Sequence, residues 1–194
     1  MPKEFFDTMY SKVFDKLEGL DKHLTYHRKE HTLDVLYQCE RIAYVEGIED
    51  EQNIYLLKTA ALYHDCGFLH AYADHETKSC ELFLHDARGY GLSQDYITVI
   101  SNLINATRVP QKPVSFLEQI ICDADLDYLG RDDFFEISHS LRDEFLYYKV
   151  VADTDQWEAL QLKFLHNHRY HTASSRLLRE PVKQAHLVTL TKTV

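Results

Sequence analysis

The stretch Lys58–Phe68, KTAALYHDCGF, decides how the rest of the chain reads. Small and apolar residues (Ala60, Ala61, Leu62) run straight into His64 and Asp65, and Cys66 and Gly67 follow. The pattern predicts a buried helix over about 50–65, with Ile54, Leu57 and Ala61 inward, that delivers two metal-grade ligands to an interior pocket. A carboxylate in such a place is costly to bury unless it is paired or bound to a cation. Asp65 therefore needs partners, and the chain offers His31, 33 residues before His64, and Asp125, 60 residues after Asp65.

The length of 194 residues makes one domain the default and allows a sizeable core. With 45% hydrophobic residues, 13 Tyr and 10 Phe, the composition is that of a globular protein rather than a disordered one. A net charge of −10 argues against a general nucleic-acid binder, which presents a basic face. No 18-residue apolar run is present, so no membrane span is expected. The first residues, MPKEFFDTMYSKVF, lack the apolar core of a signal peptide. Cys39, Cys66, Cys80 and Cys122 sit in apolar helical patterns without CxxC spacing, which predicts reduced, packed thiols and a cytoplasmic protein.

Taken in order, the chain reads as helix after helix. Phe5, Phe6, Met9, Val13, Phe14 and Leu17 predict an amphipathic helix over 4–18 that ends at Gly19. A second helix is expected from near His27 to about Glu46, placing His27 and His31 on one face. Further helices are expected over 75–87 and 94–107. The two prolines of Val109–Pro113 break the pattern, and Pro113 suits the first turn of a helix reaching Asp125. Helices over 132–150, 153–167 and 174–190 follow, with Pro181 kinking or splitting the last. Strand-like alternation is nearly absent, so the expected fold is all-α.

Three ordered segments carry a family resemblance: YHRKEHTLDV (Tyr26–Val35), His64–Asp65, and CDADLDYLG (Cys122–Gly130). Together they resemble the HD-domain superfamily of metal-dependent phosphohydrolases. The first segment is similar to the opening of the cyclic-nucleotide phosphodiesterases and the last to the closing segment of small bacterial HD proteins. The resemblance implies an HD core over about 26–130, with helices 131–194 packed on it in a single domain. It also implies a metal site made of His31, His64, Asp65 and Asp125. Asp123 is the rival for the last place, and the alignment through Ala124–Asp125–Leu126 selects Asp125.

Two imidazoles and two carboxylates suit one divalent cation such as Mn, Fe, Co, Ni, Zn or Mg. Such a cation activates water and offsets phosphoryl charge, so the implied activity is hydrolysis of a small phosphate ester, with a nucleotide or cyclic nucleotide as the expected substrate. Asp65 would orient water. His27 occupies the place of the leaving-group acid in the phosphodiesterase relatives, although Arg28 stands where they have Asn. His75 and Glu76 would orient water, extend the site to a second metal or act as general base. Two other functions remain open: a catalytically inactive metal- or nucleotide-binding module, and a di-iron oxygenase of the same fold. The oxygenase needs a further histidine, and residues 95–110 contain none.

The segment 163–194 holds six Lys or Arg against Glu180 alone, a net charge of +5 on a chain whose remainder is −15. Two readings stand side by side for it. Its cations form a solvated helix face paired with the acidic helix 132–144, or Arg169 and Arg176 form a phosphate-binding lip over the metal pocket. The expected partner is a small phosphorylated substrate, without nucleic acid or membrane, and a homodimer stays open as the assembly.

Overall fold

The computed structural model describes residues 2–192. Among the described residues ten α-helices follow one another: α1 (Pro2–Leu17), α2 (Lys29–Val45), α3 (Glu51–Tyr63), α4 (His75–Ala87), α5 (Gln94–Ala106), α6 (Phe116–Asp125), α7 (Phe134–Tyr147), α8 (Thr154–Asn167), α9 (Ala173–Leu178) and α10 (Glu180–Thr191). Short 3-10 turns cover Cys66–Leu69 and Asp127–Gly130. Among the described residues there is no strand, and no helix is long and apolar enough to cross a membrane.

Helix α3 is the centre of the main core. Its Leu57, Ala60, Ala61 and Leu62 are at most 1% exposed, and it packs against α1, α2, α5 and α6. The alanines let neighbouring helices approach closely, while Phe5, Met9 and Val13 of α1, with Ile42 of α2, fill the space around them. Asp50 starts the helix by accepting from the Gln52 amide at 3.0 Å. A second cluster joins Leu126, Leu129 and Phe134 to Leu165 and Tyr170, and so ties the C-terminal helices to the core's flank.

Three expectations about helix ends are corrected. Helix α2 begins at Lys29, so His27 precedes it and does not share a helical face with His31. The amides of Tyr26 and His27 bond instead to the Glu144 carboxylate at 2.9 and 3.1 Å, which anchors the bend ahead of the helix. Helix α3 stops at Tyr63, leaving His64 and Asp65 in the turn that follows it. Helix α6 starts at Phe116 rather than at Pro113, because Ser115 and Glu118 form a reciprocal capping box. The break at Pro181 is found: α9 and α10 meet at Arg179, and the proline sits in the first turn of α10, where its missing N–H costs nothing.

Candidate metal centre

Two close backbone approaches build the site. A Cβ on Gly67 would lie 1.9 Å from the His75 carbonyl oxygen, so only glycine lets the first turn of α4 seat against the turn after α3. The same contact is bolted by Ser79, whose hydroxyl accepts from the Gly67 amide at 2.8 Å and donates to the His64 carbonyl at 2.6 Å. A Cβ on Gly130 would collide with Arg179, the residue joining α9 to α10. These two contacts press α4 and the C-terminal helices onto the segments that carry the ligands.

His31 from the first turn of α2, His64 and Asp65 from the turn after α3, and Asp125 at the end of α6 converge. The two Nε2 atoms of His31 and His64 are 3.3 Å apart. Asp65 Oδ2 lies 3.4 Å from the first and 3.2 Å from the second, and Asp125 Oδ1 lies 3.2 and 3.6 Å from them. His31, His64 and Asp65 alone form a cluster whose ligand atoms are mutually within 4.8 Å.

The donor set fits a divalent cation. Nδ1 of His64 donates to the Ala61 carbonyl at 2.8 Å, which leaves Nε2 as the nitrogen turned toward the cluster. Asp65 Oδ2 is buried without a hydrogen-bond partner, an orphaned acceptor that a cation would satisfy. Gln111 reaches Oδ2 of Asp125 at 3.3 Å and leaves Oδ1 to the histidines.

Charge in the cluster follows pairing rather than burial. Burial works against charge on Asp125, yet the hydrogen bonds from His31 and His64 hold it down at about 2. Burial likewise opposes ionisation of Asp65, and the charge on His64 overcomes it, so Asp65 lies well below the ordinary carboxylate range. The carboxylates raise His64 well above an ordinary imidazole against its own desolvation. Carboxylates that favour a proton on His64 would favour a divalent cation in its place.

The remaining residues singled out in the sequence fall into two groups. His75 and Glu76 come to the cluster: Nε2 of His75 is 3.5 Å from Asp65 Oδ1 and 3.6 Å from Glu76 Oε1, and Arg108 sits 3.4 Å from the other Glu76 oxygen. His27 faces the same cavity, its ring stacked on Phe68, which stacks in turn on His75. Asp123 does not reach the cluster. It accepts from the His171 and Thr172 amides at 2.8 Å and from the Thr172 hydroxyl at 2.7 Å, pinning the C-terminal segment to α6.

Neither Arg169 nor Arg176 is among the residues lining the cluster's own cavity. Arg169 turns to the His166 and His168 carbonyls at 2.6 and 2.7 Å and lines a neighbouring cavity. Arg176 is exposed on α9 and outside the lining of the cluster's cavity. Two of the segment's six cations are taken up inside the fold. Arg179 joins Arg41 on buried Asp127, at 2.9 and 2.8 Å, and the fully buried Lys183 donates to Glu180 at 2.9 Å.

Sequence reasoning missed Glu144. Its buried carboxylate accepts from Nδ1 of His27, the Tyr26 and His27 amides and the Tyr72 hydroxyl. Burial would raise its pKa, and these bonds bring it below the ordinary glutamate value. Its only signal in the sequence is a carboxylate on an otherwise amphipathic helix, which reads as surface.

A family model described as HD domain matches residues 28–127. No curated protein and no solved structure matches the chain.

Proposed function

From the chain's membership of the HD-domain family, we propose that it is a metal-dependent phosphohydrolase acting on a small phosphate ester. One observation carries the reading: two inward-facing imidazole nitrogens and two carboxylates, one with an orphaned buried oxygen, meet at the end of an open cavity. His31, His64, Asp65 and Asp125 would hold one divalent cation. Bound there, such a cation supplies Lewis acidity toward phosphoryl oxygen and an activated water.

The chain's own groups do the rest. Asp65 and Asp125 balance the positive charge, and Nδ1–H of His64 stays on the Ala61 carbonyl so that the ring keeps its orientation. His27, clamped at Nδ1 by Glu144, presents Nε2 as the nitrogen that hands a proton to the departing ester oxygen. His75 lies between Asp65 and Glu76 and takes up the proton of the attacking water. Phe68 stacks on both rings, whose centroids lie 6.0 Å apart, and so fixes their orientation at the reacting end.

The test is phosphate release from a panel of phosphate esters by chelator-treated protein with Mn, Co, Ni or Mg restored. Cation-dependent release supports the reading. Tight cation binding without release from any ester favours a binding module, and oxygen consumption by iron-loaded protein favours the oxygenase.

A further inference from the structure

The cavity that ends on the cluster has two unlike halves. Asp65, Asp125, His27, His75 and Glu76 make one end. The walls beyond are built mainly by Leu129, Phe134, Leu141, Phe145, Trp157 and Phe164, and the amide of Gln161 among them is bonded to the Ser138 hydroxyl. No lysine or arginine is among the lining residues. The volume is about 340 Å³, in the range of small-molecule sites. Folded interiors rarely leave voids larger than a water molecule, because unfilled space forfeits dispersion contacts. An apolar space of this size opening onto a set of cation ligands is therefore built for an occupant.

The family match ends at residue 127, and all six wall residues lie beyond it, on the turn Asp127–Gly130, on α7 and on α8. The reacting end, apart from His27 just ahead of it, thus lies in the family module, and these six wall residues belong to the chain's own C-terminal part. Those walls suit a nucleotide poorly. Second and third phosphates call for Lys or Arg, and a ribose or base left among leucine and phenylalanine loses hydrogen bonds that water gave it. A hydrocarbon body loses nothing there and gains from leaving water.

We propose that the substrate is a phosphate ester of an apolar alcohol, with its phosphate at the His–Asp end and its hydrocarbon body against α7 and α8. The inference rests on the phosphohydrolase reading, and its test separates the two. Trp157 is the chain's single tryptophan, 6% exposed and in the cavity wall, so its emission reports occupancy without any turnover. The full chain loaded with Zn²⁺, which does not quench tryptophan, is titrated with n-alkylphosphonates from ethyl to octyl and with the matching 1-alkanols.

The expected result is a Kd that falls roughly 3–4-fold per added methylene until the wall is filled, in both series, with each phosphonate tighter than its alkanol. Leu160→Gln, at a partly exposed position in the wall, should flatten that slope without unfolding the protein. A Kd independent of chain length, or no change in emission with any probe, overturns the inference. If length dependence holds while no phosphate ester is hydrolysed, the hydrolase reading fails and the apolar site stands. If nucleotides are hydrolysed and length dependence is absent, the hydrolase reading stands and this inference fails.

Discussion

Nδ1 of His27 donates to Oε1 of Glu144, although 117 residues separate them and one precedes the first ligand while the other lies on α7. The carboxylate is fully buried and accepts three further bonds, from the amides of Tyr26 and His27 and from Tyr72 at 3.0 Å. The bond fixes the ring that faces the reacting end, and it joins the residue just ahead of the family module to a helix beyond it. Glu144→Gln keeps the size and removes the charge. It should lower kcat for phosphate-ester hydrolysis by about 10²-fold with KM and cation affinity little changed. Glu144→Ala, which strands several buried donors, should also destabilise by about 3 kcal/mol in urea unfolding. Unchanged kcat in the glutamine variant would remove His27 from the chemistry.

Asp65 and Asp123 separate ligand from strut. Asp65→Ala should lose most cation binding and all hydrolysis while the fold persists, since its Oδ2 has no hydrogen bond to lose. Asp123→Ala should bind the cation nearly as well as the unaltered protein. It should unfold about 2–3 kcal/mol more easily, because three donors at His171 and Thr172 are left unpaired. Calorimetric titration and urea unfolding of both variants check this, and the reverse assignment would follow if the two behaved the other way round.

His168 gives the stability curve an acid limb. Burial and the neighbouring Lys183 ammonium push its pKa down to about 3, whereas the unfolded chain has an ordinary imidazole. Between those values the unfolded state binds the extra proton, so stability rises with pH across the window and is lost as pH falls from about 6.5 toward 3. At pH 5 the loss from this group amounts to about 2 kcal/mol. His168→Gln should be less stable at neutral pH and show a shallower slope between pH 4 and 6.5. Equal slopes would mean that the ring is protonated in the folded protein.

The HD signature was legible because each of its three segments is a local pattern and they occur in order. His64–Asp65 follows a run of small residues whose burial is visible in the pattern, and the segments around His31 and Asp125 match in order. Helix ends were less legible, since the start of α2 is set by Glu144 accepting the amides ahead of it, a tertiary contact that no local pattern announces. The pairing of Arg179 is hidden for the same reason, because its buried carboxylate, Asp127, lies 52 residues away in sequence. The apolar cavity wall has no sequence signature at all, because Leu141, Trp157 and Phe164 have the spacing of ordinary core residues.

The most direct measurement is the rate of phosphate release plotted against bound divalent cation per chain, with elemental analysis of the same samples. The rate should rise with bound cation and saturate at one per chain, and His64→Ala should remain near the cation-free baseline. Release that is undiminished in cation-free protein, or a His64→Ala variant that binds one cation and hydrolyses at the full rate, would contradict the account.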